Sequence, residues 1–569
     1  MTGELDTMPA ARRRPMCGCA GGAGTLRDAA AHTERQLASL APELVDGFRS
    51  ALPRAAQSVG RRLLGALCRE EIGDARVRHA DAGRRHAFDR VEFDRVAATE
   101  PADLLPLPIM DRHGWALAVE LTDAVVNLAL AYARGTPPGE GASADERALQ
   151  AERHAVDGHN LHPCGRTRLG WDVADTLAHD LEAGSTSIAF VAVRRDLHVG
   201  DDVAGALADA YPQVPGAPPG FVVQPVHAWQ LDAVLRDRYV DLVRAGALRP
   251  LDGTLPAAPT AALRTLLLPV GRDGRHRYLK VSLDIQVTST RRTISVASTR
   301  NGPVISALLA RLLADDPDAD RVLLLAERAG AGVATGSGRD MSAILRDGLD
   351  DRLGPGERAI PGGALSAGDL LGVLVDRYAR TRGRTRRPGA ALAFLTEYAR
   401  LLLPPVLRLA TRYGIALEAH LQNCLPTFVD GVPHRLVLRD FAGLRVHQPR
   451  LAAAGVALPL WPGSVIGTDD PAVMRAKLGY TALQAHLGEL VVRLAGSHGL
   501  DEAAAWRAVR EVVDEVYDPL RVDRLTAAAA RADHAALTAP HVPHKALVRM
   551  RLAGSGDVYV PVRNPLHAG

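Results

Sequence analysis

A chain of 569 residues is longer than one compact core supports, so two or three domains are expected. Hydrophobic residues make up 47% and charged residues 23%, the balance of an ordinary soluble protein. A net charge of +3 and only 4% aromatics argue against a nucleic-acid binder, which would present a basic stripe or stacking aromatics. No run of 18 apolar residues predicts a membrane span. Arg12, Arg13 and Arg14 are followed by Pro-Met-Cys-Gly-Cys-Ala-Gly-Gly rather than an apolar stretch, so no secretory signal is expected either. The five cysteines (17, 19, 68, 164 and 424) are scattered, form no disulfide framework and suit a reducing cytoplasm. Cys17 and Cys19 stand too close for a CxxC metal site. Only three of the 68 basic residues are lysines: Lys280, Lys477 and Lys545. Against so strong an arginine background, a retained lysine marks a place for a compact, rotatable ammonium.

In chain order, residues 1–24 are rich in Gly, Pro and Arg and read as a disordered tail. Residues 25–134 read as helical, with Trp115 to Tyr132 carrying apolar residues at helical spacing. The Gly/Pro-rich stretch Gly135-Thr-Pro-Pro-Gly-Glu-Gly141 reads as a linker. From 185 to 330 short β-type runs follow: 187–193, 263–269, 278–287 and 322–326. A hairpin turn is predicted at Gly271-Arg-Asp-Gly274, and a Gly-rich stretch from Gly330 to Gly338 closes the region. Beyond it come a long helix over 389–413, a hairpin at Asp430-Gly431 and a mostly helical C-terminal third. The class is α+β.

Three clusters carry chemistry. The first, Gly158-His-Asn-Leu-His-Pro-Cys-Gly-Arg-Thr-Arg-Leu-Gly170, packs histidines and arginines between glycines. Arginine forks suit phosphate or carboxylate oxygens, and the alternative is a turn with solvated arginines. In the second, Lys280 to Arg292, Val281, Leu283, Ile285 and Val287 alternate with polar residues. That pattern predicts a half-buried strand whose other face carries Lys280, Ser282, Asp284, Gln286 and Thr288. On a straight strand Lys280 and Thr288 would lie roughly 26 Å apart at about 3.3 Å per residue, so one nucleotide reaches both only if the strand bends. The third follows a helix ending at Tyr413-Gly414. Here Ile415 to Asn423 reads as a strand with Glu418, His420 and Gln422 on one face, costly to bury without ligands. Asp440, at the end of the apolar run 436–438, could hold Mg²⁺ through oxygen beside that row. An exposed edge face is the alternative reading. No P-loop, GxSxG elbow or HExxH helix is present, and Gly330-Ala-Gly-Val-Ala-Thr-Gly336 breaks the dinucleotide spacing.

In order, these segments resemble the NRPS-independent siderophore synthetases, the aerobactin-synthase family. The family's His-Pro-x-x-Lys-x-Arg-x-Gly is similar to His162-Pro-Cys-Gly-Arg-Thr-Arg-Leu-Gly170. Its Arg-Thr strand corresponds to Arg264-Thr265, and its Lys strand ending in Thr-x-x-x-Arg to Lys280, Thr288 and Arg292. Glu-Ala-His-x-Gln-Asn and Arg-Asp-x-x-Gly match Glu418 to Asn423 and Arg439 to Gly443, and the segment from Lys545 looks like the family's closing one. Arg166 departs from the usual Lys, and Ala262 stands where some members carry Ser.

The resemblance implies a cupped hand: a helical thumb (25–145), β-rich fingers (146–365) and a palm (366–569), with ATP between fingers and palm. It implies that a carboxylate attacks the α-phosphate of MgATP and that an amine or hydroxyl then takes the acyl group. His162, Arg166, Arg168, Arg264, Thr265, Lys280, Thr288, Arg292, Gln422, Asn423 and Asp440 would hold ATP. Lys280, Arg292 and His420 would be catalytic, and Glu418, Asn423 and Asp440 would hold Mg²⁺. His420 and Lys545 would meet substrate. The His159-Asn-Leu-His-Pro163 segment looks like that of citrate-using members, with 2-oxoglutarate or a succinylated hydroxamate as the alternative acids. Partners are then small molecules, with no nucleic acid or membrane, and a homodimer is common in the family. Three rivals remain: a non-catalytic scaffold, an ADP-forming phosphotransferase and an iron–sulfur reductase. The last is disfavoured because no cysteine follows Cys424.

Overall fold

The computed structural model describes residues 25–136, 139, 141–554 and 556–567; Cys17, Cys19 and the tail over residues 1–24 lie outside them. Helices Val45–Arg69 and Arg112–Arg134 pack on each other, burying Leu63 and Leu67 against Leu117, Leu121 and Val125. Asp111 caps the second helix by accepting from the N–H groups of His113 and Gly114. Val548, far along the chain, joins this core. Val548 and Arg549 donate their N–H groups to the Glu70 carboxylate, so the C-terminal segment is tied to the N-terminal helices.

An antiparallel eight-stranded sheet follows. Its order is His198–Gly200, Glu327–Val333, Ala343–Asp347, Arg277–Val281, Thr265–Leu267, Leu248–Pro259, Thr186–Arg194, Phe221–His227. The Gly-rich stretch from Gly330 proves to be part of a strand: helix Val296–Ala314 packs on it, and a Cβ at Gly330 would overlap the Thr299 carbonyl. Val322–Leu324 also differs from expectation. It leaves the large sheet and pairs in parallel with Val432–Leu438, in a four-stranded sheet with Cys424–Val429 and Arg358–Ala359. The hairpin at Asp430-Gly431 is present, both residues at positive φ as a tight two-residue turn needs.

Helix Arg387–Tyr413 is the spine of the last core, where Phe394, Leu402 and Val406 meet Val513 and Tyr517. It stops at Gly414, whose φ of 71° lets its N–H return to the Ala410 carbonyl. This helix and Arg112–Arg134 have the length and apolar composition of a membrane span, but two-thirds of each such window is buried inside the protein. They are core helices.

Candidate active site

Two of the sequence clusters change shape in three dimensions. The predicted strand over 278–287 breaks at Ser282, whose hydroxyl donates to the Arg339 carbonyl at 2.6 Å and accepts from the Ile294 N–H at 3.1 Å. Arg277–Val281 therefore stays in the large sheet. Leu283–Val287 swings away to form a separate hairpin with Thr290–Arg292. Nor is the segment half-buried as its alternation suggests, since Lys280, Ser282 and Asp284 are buried as deeply as the apolar face. The expected strand over 415–423 is likewise only Ile415–Ala416, and Glu418 to Asn423 run as a loop and turn. Arg439 holds that turn: its backbone N–H donates to the Asn423 carbonyl and its Nε to the Gln422 carbonyl, while its far end pairs with Glu152 at 2.8 Å.

The bend brings the clusters together. Lys280 Nζ reaches across from the sheet to both Asp440 oxygens, at 2.7 and 2.8 Å, with only 1% of the residue exposed. Burial pulls the Lys280 ammonium below its ordinary range, while Asp440 opposes that shift. Burial alone would raise the Asp440 carboxyl, but Lys280, Arg346 and Arg264 outweigh it and hold the group ionised. His162 donates from Nε2 to Ser289 Oγ at 2.6 Å, its Nδ1 accepting the Cys164 N–H. Burial keeps that imidazole neutral, so His162 fixes the 288–292 hairpin rather than supplying positive charge. Thr288 in turn accepts from Arg292 Nη2 at 3.0 Å.

The predicted arginines sort into two kinds. Arg166 and Arg168 are buried at 3% exposure each. Arg166 pairs with Asp180 at 3.2 Å and Glu182 at 2.8 Å, and Arg168 with Asp180 at 2.9 Å. Their charge is neutralised within the protein, so the expected phosphate role does not fit them. Among the described residues, Arg264 and Arg292 have no carboxylate within ion-pair distance, although Asp440 is close enough to act on both. Arg264 donates to the carbonyls of Arg292 and Thr293, and Arg292 to a hydroxyl. Burial, then Arg264 and Arg168, push the Arg292 guanidinium down to about 9, with Asp440 opposing the shift only in part. Thr265 is buried on the strand beside Lys280.

Close to Asp440, Lys477 donates to Glu418 Oε1 at 2.7 Å, and near Lys477 in turn Lys545 pairs with Asp557 at 2.8 Å. All three lysines of the chain thus stand at this site, each on a carboxylate. Burial would raise Glu418, but Lys477 and His420 overcome it and hold the carboxyl at about 2. A Cβ at Gly443 would overlap the Glu418 carboxylate, which is why the segment from Arg439 ends in glycine. His420 is half-buried beside Glu418 and its ring has no hydrogen-bond partner among the described residues. Burial lowers its pKa, so it is neutral at pH 7. The Asn423 carboxamide is also without a partner among the described residues, at 7% exposure, whereas Gln422 is exposed.

Backbone strain gathers here too, with Leu263, Thr288 and Asp440 at φ of 61°, 58° and 63°. For bulky or β-branched residues that conformation costs about 1–3 kcal/mol each. Sequence reasoning missed Asp557, Arg346 and Glu327, and gave Lys477 no role. Arg346 Nη2 lies 3.6 Å from Asp440 and 3.5 Å from Glu327, whose two oxygens are buried without hydrogen bonds. Lysine scarcity pointed to Lys477, but no motif did.

Residues 147–367 match the model of the IucA / IucC family, and residues 392–559 that of the ferric iron reductase FhuF-like transporter. The second stretch holds one cysteine, Cys424, too few for a cysteine-ligated cluster. A D-ornithine–citrate ligase of Staphylococcus aureus is 25% identical over 75% of this chain and 71% of its own length. The petrobactin biosynthesis protein AsbB from Bacillus anthracis superposes with a TM-score of 0.78, covering 92% of this chain and 98% of that one at 20% identity. The ATP-bound aerobactin synthetase IucA of Klebsiella pneumoniae gives 0.63, covering 81% and 84% at 22% identity. Family match, motif order and fold agree: residues 147–367 carry the IucA / IucC family domain, on the fold of the petrobactin and aerobactin synthetases.

Proposed function

We propose that the protein is a ligase of siderophore biosynthesis that adenylates a carboxylic acid, citrate, with ATP and passes the acyl group to an amine or hydroxyl. The supporting observation is the pair Arg264 and Arg292, which make no ion pair among the described residues, close to buried Lys280 and its partner Asp440. A carboxylate oxygen attacks the α-phosphorus, the α–β bond breaks and pyrophosphate leaves. The nucleophile then attacks the acyl carbon, forming the amide or ester, and AMP leaves with the oxygen that joined it to the acyl group. Arg264, Arg292 and Lys280 meet the phosphate charge where it develops, an effect of about 10²–10³ in rate per donor. Thr265 and Thr288 are read as flanking contacts, and Gln422, which is exposed, as a contact at the nucleotide rim.

Two carboxylates and an unpartnered carboxamide, Glu418, Asp440 and Asn423, fit a hard divalent cation. Mg²⁺ held there would screen the triphosphate. Neutral His420 is suited to orient the acyl group or take the proton of the nucleophile. Lys545, 2.8 Å from Asp557, is a ligand for a substrate carboxylate. We read residues 25–145, 146–365 and 366–569 as thumb, fingers and palm, and the buried free thiols of Cys68, Cys164 and Cys424 support a cytoplasmic setting.

Citrate is favoured because the S. aureus relative is a citrate ligase. Hydroxylamine trapping with citrate, 2-oxoglutarate and succinate tests the assignment. Citrate-dependent hydroxamate and AMP are expected. Hydroxamate with another acid alone would move the substrate, and no nucleotide turnover would leave a scaffold.

A further inference from the structure

Outside the site described above, three elements bring metal-binding side chains together. Asp145 stands in the first turn of helix Ala144–Arg153, His276 just before strand Arg277–Val281, and Asp350 just after strand Ala343–Asp347. Asp347 pairs with Arg277, so His276 and Asp350 flank the same end of the two strands. One oxygen of each aspartate and one ring nitrogen of His276 lie within 4.8 Å of one another. Gly348 makes the room, since a Cβ there would lie 2.6 Å from Asp145 Oδ2 and 2.7 Å from the His276 carbonyl.

Asp145 is completely buried, yet only one of its oxygens is engaged. Oδ2 accepts the N–H groups of Leu349 and Asp350 at 2.7 and 3.1 Å, whereas Oδ1 is buried with no hydrogen-bond partner among the described residues. The Tyr278 hydroxyl approaches this carboxylate too loosely to satisfy it. His276 meets Asp350 Oδ2 twice, through its backbone N–H at 2.9 Å and through Nδ1 at 2.6 Å, and turns Nε2 toward Glu146 Oε1 at 3.7 Å. Among the described residues no arginine or lysine pairs with Asp145, Glu146 or Asp350: Arg275 pairs with Asp351, and Arg147 donates to the Ala142 carbonyl. Buried carboxylates elsewhere, such as Asp180, Glu357 and Asp533, each hold an arginine. A buried carboxylate with neither a cation nor full hydrogen bonding is costly, and a bound cation removes that cost.

We propose that Asp145, His276 and Asp350 bind a divalent transition-metal ion of the Zn²⁺ or Mn²⁺ type, which braces helix Ala144–Arg153 against two strands of the large sheet. An imidazole beside two carboxylates, with no thiolate, suits such an ion, whereas Ca²⁺ and Mg²⁺ take oxygen donors. His276 Nδ1 and Asp350 Oδ2, already 2.6 Å apart, ligate side by side as the ion displaces the proton between them. Nε2–H then faces Glu146, the outer carboxylate that fixes the ring, and Asp145 Oδ1 completes the protein's set. Asp350 lines a cavity of about 540 Å³ that Asp145 and His276 do not line, which gives the ion an entry and leaves its outer positions to water. Each braced element carries a residue of the site described above: Lys280 after His276, Arg346 before Asp350, and Glu152, the partner of Arg439, on the helix of Asp145. The ion's role is structural and stands apart from the adenylation reading.

Zn²⁺ titration of the full chain tests this, with the protein stripped by EDTA and held in excess Mg²⁺ to occupy the Glu418 and Asp440 carboxylates. Competition with a chromophoric chelator reads affinity, and melting curves read stability. One Zn²⁺ per chain is expected, with Ca²⁺ about 100-fold weaker or worse. At a Zn²⁺ concentration roughly 100 times Kd, the midpoint of unfolding should rise by about 5–11 °C. Asp350→Asn and His276→Gln should each weaken Zn²⁺ by about 100-fold or more, and Glu146→Gln, which preserves the helix cap, by about 10-fold. No bound Zn²⁺, Ca²⁺ bound as tightly, or an affinity unchanged in Asp350→Asn would overturn the proposal. So would Zn²⁺ lost from Glu418→Gln but kept by Asp350→Asn, which would place the ion in the reaction cleft. If His276→Gln does not fold, the native titration, Asp350→Asn and Glu146→Gln still decide.

Discussion

Arg166→Met and Arg292→Met should have opposite consequences, although both arginines belong to the motif set. Arg166 is 3% exposed, and its Nη2 serves Glu182 at 2.8 Å and Asp180 at 3.2 Å. Methionine fills similar volume but leaves Glu182 buried without its cation, whereas Asp180 keeps Arg168 at 2.9 Å. Breaking one side of a buried pair costs about 3–5 kcal/mol; because Asp180 keeps its second partner, the lower end, about 3 kcal/mol, is expected. At roughly 2–4 °C per kcal/mol for a unit of 150–250 residues, the midpoint of thermal unfolding should fall by about 6–12 °C. Among the described residues Arg292 has no ion-paired carboxylate to orphan, and removing it relieves repulsion with Arg264. Arg292→Met should therefore leave the midpoint within a degree or two, or raise it, while kcat/KM for AMP formation drops about 10²–10³-fold. Differential scanning fluorimetry and initial rates on the same preparations give both numbers. An Arg166→Met protein as stable as the parent but inactive would refute the sorting of the arginines.

Gly443→Ala drives a Cβ into the Glu418 carboxylate and should lower kcat about 10²-fold with little change in thermal stability, as measured by steady-state kinetics and melting curves. Since burial lowers the His420 pKa and the working form is neutral, the acidic limb of the kcat/KM–pH profile should fall below pH 6.5; a limb at or above 6.5 would remove His420 from that role. Glu418, held at about 2 by Lys477, gives stability that is present above its unfolded pKa and lost as pH falls through about 2. Lys477→Met should therefore lower stability at neutral pH and flatten its fall between pH 4.5 and about 2, followed by circular dichroism. Ser289→Ala removes the partner of His162 Nε2 and should loosen the Arg292 hairpin, raising KM for ATP about 10-fold with kcat nearly unchanged.

The residue types at the site were legible in sequence order, but their geometry was not. Alternation over 278–287 marked one strand, yet the Ser282 hydroxyl captured two backbone groups from distant segments and bent it, a tertiary event that no local period encodes. The same limit applied to Glu418–Asn423, whose alternating burial mimics a strand while Arg439 and Glu152 hold a turn. Arg166 and Arg292 look alike as letters. Only the fold shows that Asp180 and Glu182 claim the first, while no carboxylate of the described residues pairs with the second. Lysine rarity did carry information, since all three ammonium groups meet carboxylates at one site, but it could not say which. Gly414 and the Asp430-Gly431 turn were readable because positive φ leaves a local mark.

The most direct test of adenylation is to supply citrate labelled with ¹⁸O in its carboxylates, with ATP and an amine acceptor, and to follow the label by mass spectrometry. One ¹⁸O in the AMP phosphate, with none in inorganic phosphate, is the predicted result, because the attacking carboxylate oxygen leaves on AMP. Label in inorganic phosphate alongside ADP would mean an acyl-phosphate route and would contradict the adenylation mechanism.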